Sequence, residues 1–360
     1  MESSALGVRH PAARPWMGVA GVLAFAVIFA ATLWWSKWSP YAHKLSDLFA
    51  SPHWTGTNML NDAGAAGSAP SLAGAWSFTR AYFTDIWPGF LTALLIASAA
   101  SALVPREWLL RLLRHRGPQR SALAGGLSAL PTLMCTCCAA PLAVTLRRDG
   151  APPSAALAYW IGNPVLNPLV LAFLAVVAPW QWVLTRIVVG ALLVFGATAW
   201  VGRLAPADAA VPLPTPAATP PRAPLPSAPE RYLRTFVRLT VTLVPLYVAA
   251  VFAIGLLRGW LLPIDAAAVH WAVPSVLAAA ALGILVVIPT AGEIPILLAL
   301  SAAGVSGATI GVLLITLPAI SLASMVMVAR TFSIKLTAAM AGAVALCGLL
   351  GGGVLLALGG

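Results

Sequence analysis

Long runs of apolar residues, separated by short polar or basic stretches, dominate this chain. A helix needs about 20 apolar residues to cross the hydrocarbon core of a bilayer. The run near 16–36 is interpreted as a retained helix rather than a signal peptide, because no convincing cleavage site with small residues follows it. Seven segments are predicted as full spans, near 16–36, 84–104, 154–178, 183–203, 236–258, 306–329 and 335–358.

Two further apolar regions, 119–146 and 270–303, are interrupted near the middle by prolines and polar residues. The leg after the interruption is short, running from Ala139 to Arg147 in the first region and from Ile296 to Ala303 in the second. A helical leg of that length rises about 12–14 Å, which is less than half of a hydrocarbon thickness of about 30 Å. Both regions are therefore predicted to be re-entrant hairpins with tips near the middle of the membrane.

The two halves of the chain resemble each other at a fixed displacement. The span near 84–104 falls onto residues 238–258 when it is moved by 154 positions. The same displacement relates three helix-breaking residues of each half: Pro141, Gly150 and Pro164 recur as Pro295, Gly304 and Pro318. We predict an all-α polytopic membrane protein of about nine transmembrane helices, with two re-entrant broken hairpins in an inverted repeat.

The basic residues indicate how the chain crosses the membrane. With the N-terminus inside and each hairpin returning to its own side, fifteen Lys and Arg residues fall in inside loops. Four fall outside: Lys37, Lys44, Arg80 and Arg258. Cytoplasmic loops carry an excess of Lys and Arg, so the N-terminus is predicted to be cytoplasmic. The hairpins then enter from opposite sides, as in the inverted repeats of many secondary transporters.

The low charged fraction and the positive net charge of the chain indicate which partners it has and how it is organised. Charged residues make up 9% of the chain, and the net charge of +11 is explained by topology and anionic lipid rather than by nucleic acid. We expect the lipid bilayer and a small-molecule or ion substrate as partners, no nucleic acid, no cofactor, and a homo-oligomer as an option. Four segments are predicted: 1–83, an N-terminal transmembrane helix and exterior loop; 84–203, the first repeat; 204–235, a Pro-rich cytoplasmic linker; and 236–360, the second repeat.

Three of the chain's four cysteines, Cys135, Cys137 and Cys138, cluster in the first predicted hairpin. Non-helical backbone within hydrocarbon survives only inside protein or beside a wet cavity, so a tip can present polar groups to a solute. Sulfur ligands favour Cu(I), Zn(II) and other thiophilic species, and trivalent arsenic follows the same logic. The three residues are candidates for substrate binding and for metal ligation; the alternative is small residues packing a tight hairpin.

The second hairpin carries Glu293 within the stretch PTAGEIP. An ionised carboxylate is costly at this depth, so Glu293 is predicted to face a cavity and to couple transport to protons. The alternative is a polar group that caps a broken helix beside Thr290. Polar residues near the breaks complete the predicted substrate-binding set: Asn163, Asn167, Thr290 and Ser321. The predicted helix-breaking residues are Pro131, Pro141, Pro164, Pro168, Pro289, Pro295 and Pro318.

The stretch from Cys135 to Pro141, a following Leu-x-x-x-Gly segment and a helix ending in Asn-Pro resemble the predicted permease family that includes organoarsenical efflux permeases. The resemblance covers roughly 84–178 and, more weakly, 236–329. The family pattern is closer to Pro-x-Cys-Ser-Cys, with a polar or sulfur-containing residue in the second hairpin. Three residues depart from it: Met134, Cys138 and Glu293. The resemblance implies an inner-membrane permease with a thiol-lined route.

The leading hypothesis is a secondary active permease of the inner membrane that moves a small thiophilic solute, an organoarsenical or a soft metal ion, coupled to protons. The runner-up moves a small sulfur-containing anion past the same thiols. A hypothesis of another class is a membrane thiol-disulfide oxidoreductase that uses Cys135 and Cys137, which would need a reactive and accessible thiol. We expect a protein that is not an enzyme. The sequence contains no Gly-x-x-x-x-Gly-Lys-Ser/Thr loop for ATP.

Overall fold

The structure is a computed structural model that describes residues 15–51, 69–205, 228–261 and 272–359. Within these ranges the chain forms helices and no β-strand, so the all-α prediction is confirmed for the described residues. The α-helices are α1 (Pro15–Leu33), α2 (Ser39–Ala50), α3 (Leu72–Leu103), α4 (Arg106–Leu113), α5 (Pro118–Ala129), α6 (Thr136–Arg148), α7 (Pro153–Val165), α8 (Pro168–Val177), α9 (Trp180–Ala191), α10 (Thr198–Arg203), α11 (Ala228–Leu261), α12 (Ala272–Leu285), α13 (Glu293–Ala302), α14 (Gly307–Ala319), α15 (Leu322–Phe332) and α16 (Ile334–Ala357).

Six helical stretches of the described chain are long and apolar enough to cross a bilayer. The pair α14 and α15, bent by 52°, becomes a seventh if it forms one span. Each predicted full span overlaps one of these seven stretches, which makes the chain a multi-pass membrane protein; the total of about nine stays a prediction. The six are Gly18–Ala50, Leu72–Leu103, Pro153–Val177, Trp180–Arg203, Ala228–Leu257 and Ile334–Ala357.

The two interrupted regions form pairs of short helices joined by non-helical backbone. α5 and α6 have 12 and 13 residues, and α12 and α13 have 14 and 10. Each helix therefore rises only about 15–21 Å, short of a hydrocarbon thickness of about 30 Å. We call residues 133–138 the first bend and residues 286–293 the second bend. That each pair enters and leaves on one side of the membrane stays a prediction.

The order of helices recurs at the displacement of 154 positions. α14 begins and ends 154 positions after α7, and α16 stands in the same relation to the stretch Trp180–Arg203. Gly150 and Gly304 both take left-handed backbone, with φ of 97° and 81°. They end α6 and α13 through the same pair of backbone hydrogen bonds. The opposite orientation of the halves across a membrane stays a prediction.

The N-terminal helical stretch is longer than the sequence suggests. A π-helical turn at Trp34–Trp38 joins α1 to α2, and α3 begins at Leu72. The exterior loop expected over 37–83 is therefore wrong for residues 37–50 and 72–83, which are helical. Polar side chains on α2 lower the hydropathy there without ending the helix. Residues 206–227 of the predicted Pro-rich linker lie outside the part of the chain that the structure describes. α11 begins at Ala228, before the predicted end of the linker at residue 235.

Two of the seven predicted helix-breaking prolines do not interrupt a helix. Pro141 and Pro295 lie inside α6 and α13, which continue through them. Both are near the start of the helix, where a missing N–H removes one intrahelical bond or none. The other five lie at or beside a break: Pro131, Pro164, Pro168, Pro289 and Pro318.

Packing brings the first bend against the second half of the chain. α3 lies along α11, α5 along α7, and α14 along α16. α6 contacts α7 and α3 of its own half and also α15 of the other half. Residues from α6 to the end of α7 are almost all buried, so the first bend lies in the interior of the protein.

Candidate functional site

Asn163 on α7 holds the first bend in a strained backbone. Leu133 is left-handed, with φ of 51°, which is uncommon for a residue with a side chain. The side-chain oxygen of Asn163 accepts from the Thr132 hydroxyl and, at 3.2 Å, from the Met134 N–H. Its Nδ2 donates to the Tyr159 carbonyl at 2.9 Å. In this conformation the Asn163 side chain braces the first bend.

The first bend places three free, buried thiols at the start of α6. Cys135 is the N-cap of the helix, and its sulfur lies 3.2 Å from that of Cys138. The Cys137 sulfur lies 3.8 Å from the Tyr82 hydroxyl and 3.6 Å from the Ser321 hydroxyl. The cluster therefore combines a close pair of thiols with a third thiol that contacts the second half of the chain.

Cys137 is part of a run of polar contacts that links four helices. Tyr247 on α11 donates its hydroxyl to that of Tyr82 on α3 at 3.2 Å. On the other side of the thiol, Ser321 caps α15 and forms a capping box with Ser324. The tyrosines were not predicted. In the sequence each is a tyrosine within an apolar segment. That pattern does not single out a functional residue, because aromatic residues also fill many protein cores.

Glu293 forms a buried ion pair with Arg186 of α9. Arg186 Nη2 lies 2.8 Å from Glu293 Oε1, and the side chains are 0% and 3% exposed. The same guanidinium donates to the carbonyls of Pro164 at 2.8 Å and Val165 at 3.1 Å. Buried charges are tolerated when they are paired with good geometry. This pair therefore connects the second bend to the end of α7.

Arg186 was missing from the predicted site. It lies within the predicted span 183–203, where apolar neighbours dominate the hydropathy of the segment. An arginine inside a span is itself a functional signal, since ionisable residues in membranes are rare and usually have a partner. The same rule that identified Glu293 would have found it.

Both bends line one small cavity. Cys135 comes from the first bend, Thr290 and Glu293 come from the second, and Pro164 and Pro318 come from the ends of α7 and α14. The cavity volume is about 10 Å³, close to the minimum that holds a single water molecule. The site is therefore closed in this conformation, and a larger solute requires the two bends to separate.

Asn167 and Ser321 hold corresponding positions in the two halves, each as the N-cap of the helix after a break. The side-chain oxygen of Asn167 accepts from the N–H groups of Leu169 and Val170 at 3.1 and 3.3 Å. Its Nδ2 is buried and has no hydrogen-bond partner among the described residues. Asn167 is thus a helix cap that keeps one donor available.

A lysine that was expected in an exterior loop is buried beside both bends. Lys37 lies in the π-helical turn between α1 and α2 and is 8% exposed. Its Nζ lies 3.4 Å from the Thr290 hydroxyl. A Cβ added at Gly89 would lie 2.9 Å from Lys37 Cε and 3.4 Å from Cys138 Sγ. The lysine and the thiol therefore both border the space beside the bare backbone of Gly89.

A metal centre finds no support in the described ranges. No three His, Cys, Asp or Glu side chains there are grouped to hold a metal ion. The metal-ligand role suggested for Cys135, Cys137 and Cys138 therefore stays a prediction.

Comparison with known proteins relates the whole arrangement to a family. The family model ArsP_1, described as a predicted permease, matches residues 71–356. The chain is also 36% identical over 339 residues to the UPF0718 protein YraQ of Escherichia coli (strain K12), covering 92% of this chain and 94% of that protein. No solved structure matches. The thiols and the Arg186–Glu293 pair lie within the matched residues. The chain therefore belongs to the ArsP_1 family of predicted permeases, as a multi-pass membrane protein of the transporter class.

Proposed function

We propose that this protein is a secondary active permease of the inner membrane that moves a small thiophilic solute between the two bends. The observation that supports this most is the cavity that Cys135 and Glu293 line together, with prolines from two helix ends. Secondary transporters bind their solutes where discontinuous helices meet. The proposal includes a cytoplasmic N-terminus and bends that enter the membrane from opposite sides.

Sulfur sets the proposed class of solute. Cys135 and Cys138 offer two sulfurs 3.2 Å apart, a soft ligand pair that suits a trivalent organoarsenical or a soft metal ion. Thr290 lines the same cavity and supplies a hydroxyl. Ser321 contacts the third thiol at 3.6 Å, and Asn167 keeps a buried donor. Asn163 acts by bracing the first bend.

Glu293 is the proposed proton-coupling residue, acting through Arg186. Protonation removes the carboxylate charge and with it most of the attraction within the pair. Arg186 stays bonded to the carbonyls of Pro164 and Val165, so the loss of the pair releases the second bend from α7. Proton binding would therefore favour opening of the closed cavity.

Substitution of the thiols tests the solute class. Cys135, Cys137 and Cys138 are replaced together by Ser, and arsenite and methylarsenite resistance is measured in a sensitive strain at matched membrane abundance. We expect the triple variant to lose protection and Cys347→Ser, a buried cysteine on α16, to keep it. Unchanged resistance of the triple variant to both solutes would reject the arsenical hypothesis.

A small sulfur-containing anion is the second candidate solute. The buried ammonium of Lys37 favours it, since its hydrogen-bond partners are the neutral hydroxyls of Thr290 and Tyr41. Growth of a deletion strain on single sulfur sources, with and without the plasmid-borne protein, tests it. A thiol-disulfide oxidoreductase is the weaker proposal, because all three thiols are buried in this conformation.

A further inference from the structure

The N-terminal helical stretch is attached to both sides of the site. Lys37 lies before the family-matched residues 71–356 and outside the internal repeat. Its ammonium nevertheless reaches the second bend, 3.4 Å from the Thr290 hydroxyl. The next residue, Trp38, donates its indole N–H at 2.8 Å to the carbonyl of Pro131, just before the first bend. This segment is thus a third component of the site.

The local helix geometry explains why Lys37 points inward. Trp34 and Trp35, three and two residues earlier, are 63% and 50% exposed, so this face of the helix lies towards the surroundings. The π-helical turn over Trp34–Trp38 adds a residue to the turn and rotates the following side chains. Such turns are frequent at functional sites. Lys37 is the residue that the turn buries.

No carboxylate among the described residues balances the charge of Lys37 at the site. Arg186 and Glu293 neutralise each other in their ion pair. Lys37 adds a positive charge, and no carboxylate of the described chain lies within 4.0 Å of its ammonium. Its recorded partners are the hydroxyls of Thr290 and Tyr41, each at 3.4 Å. Burying an ammonium without an opposite charge is unfavourable, so the site is stabilised when an anion enters.

The ammonium and the thiols would contact the same small solute. Thr290 lines the closed cavity together with Cys135 and is bonded to Lys37. Cys138 and Lys37 both lie beside Gly89, where an added Cβ would come within 3.4 Å of each of them. A solute held by the thiol pair would therefore lie beside the ammonium. If that solute is an anion, the ammonium attracts it, and in a site that excludes water this attraction is much stronger than at a protein surface.

A second cavity is lined by positively charged side chains, which have the same sign of charge as Lys37. It lies at the far end of α6, has a volume of about 290 Å³, and is lined by Arg114, His115 and Arg147 but by no acidic residue. A concave surface of one charge sign raises the local concentration of the opposite ion. This basic cavity at the end of the helix that begins with the thiols would attract anions.

We infer that Lys37 selects the charge of the solute, and that the permease moves a small thiophilic anion held between Lys37, Thr290 and the sulfurs of Cys135 and Cys138. The inference rests on the proposed function and deepens it. Neutral arsenicals and metal cations bring no negative charge of their own to the ammonium. An oxyanion of sulfur or of a similarly thiophilic element satisfies both.

Exchange across proteoliposomes that contain the full chain tests the inference. The probes are thiosulfate, sulfite and selenite as anions and arsenite as a solute that is neutral at neutral pH. We expect at least one anion to exchange with a half-saturating concentration about tenfold below that of arsenite, equivalent to about 1.4 kcal/mol. Lys37→Gln should raise the value for the anion about tenfold and leave arsenite unchanged. Lys37→Arg should keep most of the preference, and the exposed Lys335→Gln should behave as wild type.

The outcomes separate the inference from the proposed function. Exchange of arsenite without exchange of any anion would overturn the role of Lys37 and leave a thiophilic permease. An equal loss for both kinds of solute in Lys37→Gln would assign the residue to stability alone and overturn the inference. If Cys135→Ser and Cys138→Ser together leave the exchange of every solute unchanged, the proposed function itself is contradicted.

Discussion

Arg186 and Glu293 meet at 2.8 Å in the protein interior, although they belong to different halves of the chain. Arg186 also bonds to the carbonyls that end α7, and Glu293 begins α13 beside the cavity. One guanidinium therefore connects a helix break in the first half to the bend in the second. Whatever weakens this ion pair acts directly on the closure of the site.

Glu293→Gln should strongly reduce uphill transport and spare exchange. The amide keeps the shape of the carboxyl but cannot gain or lose the proton, so a proton gradient has nothing to act on. We expect gradient-driven accumulation to fall about tenfold or more, within the usual range of coupling energies, with counterflow little changed. The control is Glu230→Gln, which alters an exposed ion pair on α11. A variant that keeps the pH dependence of the wild type would remove Glu293 from this role.

Arg186→Met should be strongly destabilising. It leaves a buried carboxylate without its partner, which typically costs about 3–5 kcal/mol. The double variant Arg186→Met with Glu293→Gln should recover part of that loss, because no unpaired charge remains. Arg234→Met breaks the exposed pair with Glu230 and should cost no more than about 1 kcal/mol. Unfolding in detergent measures the free energy of unfolding of all three variants. An equal loss of that free energy in Arg186→Met and Arg234→Met would contradict the importance of the buried pair.

Phenylarsine oxide, which bridges two thiols, should protect Cys135 and Cys138 from alkylation. Their sulfurs lie 3.2 Å apart, close enough for one arsenic atom to bind both after small adjustments. Cys137, with its separate contacts to Tyr82 and Ser321, should be protected less. Mass spectrometry after denaturation measures the alkylation of each thiol, and Cys347 serves as the internal control. Equal protection of all four cysteines would contradict the assignment of a specific pair.

Gly89→Ala should disturb the site more than the fold. Its Cβ would come within 2.9 Å of Lys37 Cε and 3.4 Å of Cys138 Sγ, and the lysine chain is flexible enough to move away. We expect a several-fold rise in the half-saturating solute concentration with a change in unfolding free energy of only about 1 kcal/mol. Gly342→Ala adds a Cβ with nothing within 4 Å and should leave transport unchanged. A fully active Gly89→Ala variant would show that the approach of Lys37 to the thiols is dispensable.

Much of the architecture could be predicted because membrane insertion depends on local properties of the chain. The length of each apolar run predicted seven spans, each of which overlaps one of the long apolar helical stretches, and proline and polar residues marked the interruptions around residues 133–138 and 286–293. The acidic residue in the second interruption was also recognisable from its apolar neighbours. That α6 continues through Pro141 was not recognisable, because a proline near the start of a helix and a proline that ends a helix look alike in sequence.

The sequence by itself determined most of the long apolar helices, the two interrupted regions, and where sulfur and a carboxylate occur along the chain. Only the tertiary structure decided that Lys37 and Arg186 join them, that Cys135 and Cys138 pair while Cys137 contacts Ser321, and that Asn163 braces backbone. The physical reason is that hydropathy is a property of neighbours in sequence, whereas the partner of a buried polar group comes from whichever distant helix packs against it.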